Sequence, residues 1–200
     1  MNADGSHQRA LTPAGSRFQL YGEDVVPSLD WSPDGLQIVF ASFPGRNGGV
    51  EQLFLANART GHVTRLTYTA IGARDPVWSP DGRWIAFIGA RAPGRVYLLS
   101  TKTRHIHVLG NATGMDLAWS PDSTRLVMNT HGKLETVTTS APIRYHSLGV
   151  WGDQPSWSPD GQWIVFTYGD YVKEIRPNGQ GIRHILYTTS NKGWNFEPDW

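Results

Sequence analysis

The sequence predicts an all-β chain: a β-propeller of four-stranded antiparallel blades, with four complete blades and a partial blade at each end. Three observations predict it. The first is composition, because 22 Gly and 13 Pro among 200 residues interrupt the chain too often for long helices, and no segment holds a 3.6-residue apolar period through three turns. The second is a motif that recurs four times, as DWSPDGLQIVF from Asp30, VWSPDGRWIAF from Val77, AWSPDSTRLVM from Ala118 and SWSPDGQWIVF from Ser156. The third is its spacing. Trp31, Trp78, Trp119 and Trp157 stand 47, 41 and 38 residues apart, and Trp200 follows after another 43, a period that fits one four-stranded blade.

Taken in order along the chain, residues 1–12 are expected to be the outer-strand remnant of a preceding blade. The stretch MNADGSHQRALT can be laid over IRPNGQGIRHIL, so that Asp4-Gly5 falls on Asn178-Gly179, Arg9 on Arg183 and Leu11 on Ile185. Four blades are then expected over 28–68, 76–110, 117–148 and 155–187, and residues 197–200 as the first strand of a further one. The chain is accordingly expected to be part of a longer product.

Within the second unit, Trp78 ends a short strand and Ser79-Pro80-Asp81-Gly82 makes a tight turn. Proline presets φ, aspartate bonds nearby backbone and glycine accepts positive φ. RWIAFIG follows, apolar on both faces as suits a strand sandwiched between neighbouring blades. RVYLLS supplies the third strand and the more polar RHIHVLG the outer one. The third unit departs from the pattern, with Ser123 in place of glycine. A left-handed conformation there would cost on the order of 1 kcal/mol and loosen that blade.

Composition excludes several classes. The 18 basic and 17 acidic residues nearly cancel, and the arginines are scattered, so no nucleic-acid footprint is present. No apolar run approaches the roughly 20 residues that cross a bilayer, and no signal peptide is visible. The absence of cysteine rules out disulfides and thiolate metal sites.

The repeated W-S-P-D-G, followed by an apolar strand and a hairpin that closes in Leu-Thr at Leu66-Thr67 and at Leu11-Thr12, resembles the WD-repeat-like units of TolB-type β-propellers. The resemblance runs from Met1 to Trp200. It implies a periplasmic or extracellular bacterial setting and a choice of roles. Relatives include the propeller of the periplasmic TolB protein, propellers that gate prolyl-oligopeptidase-like peptidases, oligogalacturonate lyases and cell-surface proteins.

The chemistry-bearing residues narrow the choice. No G-x-S-x-G nucleophile elbow occurs, so no catalytic residue is expected. The motif aspartates Asp34, Asp81, Asp122 and Asp160 read as turn formers rather than calcium ligands. His105 and His107 share a strand face, but without a third ligand they read as a solvated pair, and neither a metal nor a cofactor is expected. The repeated tryptophans read as inter-blade core, each burying on the order of 200 Å².

One constellation points to binding. Ser28, Asp75, Asp116, Gln154 and Glu197 each stand three residues before a repeat tryptophan, where the innermost strands would gather around one mouth of a central channel. Tyr68, Trp151, Trp194 and Phe196 lie on the loops leading there. Carboxylates beside aromatic anchors suit recognition of a protein, peptide or glycan. The expected binding residues are Asp75, Asp116, Gln154, Glu197, Trp151 and Trp194. The expected function is a non-enzymatic binding module, with a peptidase-gating propeller or a propeller lyase as the alternative. Self-association through open blade edges is a further expectation.

Overall fold

The computed structural model describes residues 28–44, 49–91 and 93–187. Among these the chain forms sixteen strands in four antiparallel sheets and no helix. The first sheet holds β1 (Leu29–Trp31), β2 (Gln37–Ser42), β3 (Gln52–Asn57) and β4 (Val63–Arg65). The second holds β5 (Arg74–Trp78), β6 (Trp84–Ile88), β7 (Arg95–Ser100) and β8 (Ile106–Thr113). The third holds β9 (Met115–Trp119), β10 (Arg125–Thr130), β11 (Lys133–Thr138) and β12 (Tyr145–Trp151). The fourth holds β13 (Asp153–Trp157), β14 (Ile164–Tyr168), β15 (Tyr171–Ile175) and β16 (Arg183–Tyr187).

Strands lie side by side in chain order within each sheet, and the first strands β1, β5, β9 and β13 adjoin in succession, as the inner strands of consecutive blades do. The stubs expected at 1–12 and 197–200, with Trp194, Phe196 and Glu197, lie outside the described residues. Several strands run past the ranges expected from sequence. β5, β9 and β13 begin at residues 74, 115 and 153, because a bulge lets each strand continue beyond the position at which regular pairing breaks. β8 and β12 extend to residues 113 and 151, leaving Gly114 and Gly152 alone to cross from one blade to the next.

The W-S-P-D-G turns are alike in all four blades. The serine hydroxyl donates to the motif aspartate over 2.5 Å in Ser32–Asp34 and 2.6 Å in Ser79–Asp81, Ser120–Asp122 and Ser158–Asp160. The same serine oxygen accepts the N–H of Gln37, Trp84, Arg125 or Trp163 at 2.9 Å. The aspartate accepts a further backbone N–H two residues on, from Leu36, Arg83, Thr124 or Gln162. Serine and aspartate are therefore backbone substitutes that close the turn.

Ser123 does adopt positive φ, at 59°, where Gly35, Gly82 and Gly161 have 67°, 73° and 68°. Its hydroxyl accepts the N–H of Asp81 from the preceding blade at 3.0 Å. A hydrogen bond contributing on the order of 1 kcal/mol offsets a left-handed penalty of similar size, so the expected looseness of this blade has a counterweight.

The core is a series of layers between blades. Val39, Ala41, Leu53 and Leu55 of the first blade pack with Trp78, Ile85, Phe87 and Leu99 of the second. Ala86, Ile88, Val96 and Leu98 of the second pack with Leu117, Trp119, Leu126 and Met128 of the third. Val127 and Leu148 of the third pack with Trp157, Ile164 and Phe166 of the fourth. β6 shows the logic: Ile85 and Phe87 point one way, Ala86 and Ile88 the other, so its alternate faces fill two different layers. Trp78, Trp119 and Trp157 thus each pack on the blade before their own.

Candidate functional site

Strand alternation fixes which loops share an end of the molecule. The W-S-P-D-G turns and the β3–β4, β7–β8, β11–β12 and β15–β16 turns lie at one end. The β2–β3, β6–β7, β10–β11 and β14–β15 hairpins and the crossovers between blades lie at the other, here called the mouth. Asp75, Asp116 and Gln154 all stand at the mouth.

These three residues share a backbone feature. Their φ values are 50°, 54° and 50°, and each marks a bulge in the pairing of an innermost strand. Arg74 pairs with Ile88 but Val77 with Ala86, so Asp75 and Pro76 together oppose Phe87. In the third blade Asp116 and Leu117 oppose Met128, and in the fourth Gln154 and Pro155 oppose Phe166. Phe87, Met128 and Phe166 are among the largest fully buried side chains. A core side chain therefore sits beneath each bulge while the bulged residue is turned out of the ladder. Left-handed φ at non-glycine residues costs energy and recurs at ligand-contacting positions. In the first blade β1 and β2 pair in unbroken register from Leu29↔Phe40 to Trp31↔Ile38, so the bulge spans the second to fourth blades.

The bulged residues are linked across blades. Asp116 Oδ2 accepts the N–H of Gln154 at 3.3 Å, joining the third and fourth blades. Gln154 Oε1 in turn accepts the hydroxyl of Thr167 at 3.4 Å. Asp75 is ion-paired with Arg74 at 3.8 Å. Glu51, from the preceding blade, has its carboxyl pushed above the usual glutamate range by burial and then by the Asp75 charge, with Arg74 opposing.

The aromatics take rim positions. Trp151, 55% exposed, ends β12 and lies flat on the β10–β11 hairpin, where a Cβ on Gly132 would stand 2.8 Å from its ring. The Lys133 ammonium is 5.3 Å from the ring centre. Trp151 is on an outer strand and reaches Gln154 only through Gly152 and Asp153. Tyr68, 77% exposed, carries the Arg65 guanidinium stacked at 4.3 Å.

A cavity of about 350 Å³ opens at the same end between the second and third blades, lined by Arg74, Arg91, Pro93, Met115, Asn129 and His131 among others. Asn129 is 3% exposed and held on three sides. Its amide donates to the Gly152 carbonyl at 3.0 Å and to Asp153 Oδ1 at 2.5 Å, and its oxygen accepts the Gly132 N–H at 2.7 Å. Sequence reasoning missed this cavity. The available signal was Pro76, since proline inside a strand marks an edge or a bulge and draws notice to its neighbour Arg74.

The remaining candidates divide plainly. His105 and His107 do share a face, with Nδ1 of one 3.2 Å from Nε2 of the other, and the His107 ring meets Trp84 edge-on. Among the described residues no group of three His, Cys, Asp or Glu side chains is placed to hold a metal ion. Asp34, Asp122 and Asp160 are engaged in the turns at the opposite end, as described above.

Comparison with known proteins agrees with this architecture. The sequence pattern of the family described as eukaryotic translation initiation factor eIF2A matches residues 28–175. The "Uncharacterized peptidase YuxL" of Bacillus subtilis (strain 168) is 28% identical over 154 residues, covering 74% of this chain and 22% of the relative. The "Tol-Pal system protein TolB" of Francisella tularensis subsp. mediasiatica (strain FSC147) is 28% identical over 157 residues, covering 72% of this chain and 35% of the relative. The chain thus spans a minor part of the length of both curated relatives.

Among solved structures, TolB from Acinetobacter baumannii superposes with a TM-score of 0.65 at 20% identity, over 84% of this chain and 44% of that one. A putative TolB from Agrobacterium tumefaciens gives 0.68 at 19% identity, over 81% of this chain and 62% of that one. With its repeat, its four successive antiparallel sheets and the match over residues 28–175, the chain belongs to the eukaryotic translation initiation factor eIF2A family and folds as a TolB-like β-propeller.

Proposed function

We propose that this chain is a non-enzymatic binding module whose mouth engages a protein partner, with Asp75, Asp116 and Gln154 as the central contacts and Trp151 on the rim. The observation that carries the reading is the same positive-φ bulge on three consecutive innermost strands. Each of these three bulges carries a polar residue at the same mouth, which supports a shared binding surface. The TolB relative is named as a protein of the Tol-Pal system, which supports a protein partner over a peptide or glycan and a periplasmic setting for the module.

The test pairs Asp75→Asn with Asp116→Asn. Asparagine tolerates left-handed φ, so the fold is retained while both charges are removed. Capture of partner proteins from source-cell extract is compared between wild type, this double variant and Lys102→Ala at the opposite end. A protein held by wild type and by Lys102→Ala but lost by the double variant supports the site. Retention by the double variant removes the assignment, and release of that protein by soluble glycan would replace protein with sugar as the ligand.

The match to a peptidase-named relative favours one second reading, a substrate-gating propeller attached to a hydrolase. An intact natural product much heavier than these 200 residues, carrying a G-x-S-x-G elbow, would establish it. Self-association through exposed blade surfaces is also part of the proposal.

A further inference from the structure

We propose that the cavity between the second and third blades is a carboxylate-binding site, with Arg74 and Arg91 supplying the counter-charge. Three features of the cavity carry this. First, Arg74 Nε is buried without a hydrogen-bond partner, and the Asp75 carboxylate at 3.8 Å is too distant to bond it. That N–H has almost no accessible surface, but the Arg74 side chain as a whole is 41% exposed and lines the cavity, so an oxyanion bound there would meet its guanidinium. Second, among the described residues no carboxylate lines the cavity, whereas Arg74, Arg91, Asn129, His131 and Thr113 do. Third, its volume of about 350 Å³ falls within the range of small-ligand pockets.

Charge and shape select the anion. Arg74 is offset by the neighbouring Asp75 and Glu51 carboxyls, so Arg91 supplies the remaining counter-charge, which matches a monoanion better than a dianionic phosphate. Met115, Pro93 and Ala90 add apolar wall, which suits a carboxylate borne on a short aliphatic stem. Asn129 cannot turn to serve the ligand, since its amide and oxygen are already bonded to Gly152, Asp153 and Gly132. The site shares the Arg74–Asp75 ion pair with the mouth, but its ligand need not be a protein, because a free organic acid and the carboxylate of a peptide present the same group.

The test follows the arginine Nε–Hε resonances of the full chain by NMR during titration with N-acetyl-leucine, 4-methylpentanoate, the tripeptide acetyl-Ala-Ala-Leu, inorganic phosphate and the neutral N-acetyl-leucine amide. The expected result is a saturable shift of the Arg74 and Arg91 signals with the monocarboxylates, at least about tenfold weaker with the amide and with phosphate. Arg74→Gln should weaken carboxylate binding about tenfold or more, the usual consequence of removing a charge-assisted hydrogen bond. Met115→Glu, which places a negative charge in the wall and leaves both arginines in place, should do the same. Tighter binding of the tripeptide than of 4-methylpentanoate assigns the site to a peptide carboxylate, and the reverse order assigns it to a free acid. No saturable shift, an equal shift with the amide, or unchanged binding in both variants would overturn the proposal. Loss of partner capture in the single variant Asp116→Asn, which leaves the Arg74–Asp75 pair in place, with carboxylate binding intact would separate this site from the protein-binding one.

Discussion

At the scale of single residues, the repeat tryptophans show how neighbours decide what one side chain contributes. Trp78, Trp119 and Trp157 are 8%, 7% and 5% exposed, while Trp31 is 51% exposed, because among the described residues no blade precedes the first. Trp119 also donates its indole N–H to the Val77 carbonyl at 3.1 Å. Trp119→Ala should therefore cost about 3–5 kcal/mol and Trp31→Ala no more than about 1 kcal/mol, as read from urea unfolding midpoints. Equal losses would mean that Trp31 is buried in solution. Carboxyl groups at the two ends should respond to pH with opposite sign. Asp34 and Asp160 are held below the usual aspartate range first by the serine hydroxyl and then by a backbone N–H. For Asp122, burial pulls upward, but the bonds from Ser120 and Thr124 outweigh it. These turns add stability above the ordinary aspartate value of about 3.9 and lose it as pH falls through the lower folded values. Glu51 is shifted the other way, so its ionisation opposes folding once pH rises above the ordinary glutamate value of about 4.3. Glu51→Gln should raise the unfolding midpoint at pH 7, and the gain should shrink as pH falls toward 4. A gain independent of pH would remove the charge explanation.

At the scale of elements, the crossovers between blades are the most constrained joints. Gly114 and Gly152 each form the whole connection between an outer strand and the next inner one, and their N–H groups donate to the hairpin carbonyls of Gly94 and Gly132 at 3.3 and 2.9 Å. A Cβ on Gly152 would lie 2.4 Å from the Phe166 ring and 3.1 Å from the Thr167 carbonyl oxygen. The ring is fully buried and the carbonyl belongs to a strand, so neither can retreat cheaply. Gly152→Ala should cost about 1–3 kcal/mol, whereas alanine at Gly149 meets open space and bears only its positive-φ penalty of about 1 kcal/mol. Thermal melts of the two variants would rank them, and equal melting would refute the packing argument. The same elements show what could be read from sequence. The motif turns were legible because Ser, Asp and Gly each perform a local backbone task that their chemistry announces. The buried second strands were legible because both faces of IVF and IAF are apolar. The bulges were not, because Asp75, Asp116 and Gln154 look like ordinary polar strand ends until the partner strand shows Phe87, Met128 and Phe166 opposite them. The cavity was further out of reach. Arg74, Arg91, Met115 and His131 come from two blades and four segments, and only the inter-blade packing brings them together.

At the scale of the whole molecule, the layered core sets a requirement on the outer blades. Every interior blade is covered on both faces, and the clusters that cover them are continuous from Val39 through Ile175. The first blade presents Leu29, Trp31 and Leu36 at 53%, 51% and 51% exposure, and the fourth presents Ile182, Ile185 and Leu186 at 49%, 51% and 55%. Exposed apolar side chains of this kind favour association, and β4 and β16 add outer edges whose backbone groups can pair with another strand. Charged residues temper the fourth blade, where Arg176 and Arg183 stack on Trp163 at 4.7 and 3.8 Å and Arg183 pairs with Glu174 at 3.3 Å. Among the described residues the first blade has no comparable shield over Trp31, so its face should dominate self-association. Sedimentation velocity over a concentration series should show the 200-residue chain gaining mass with concentration. Trp31→Lys should shift it toward monomer more than Ile185→Lys does, since lysine at 31 adds charge to a face that has none of this cover. A chain that stays monomeric at every concentration would mean that these faces are already covered within one molecule, and the association proposal would fall.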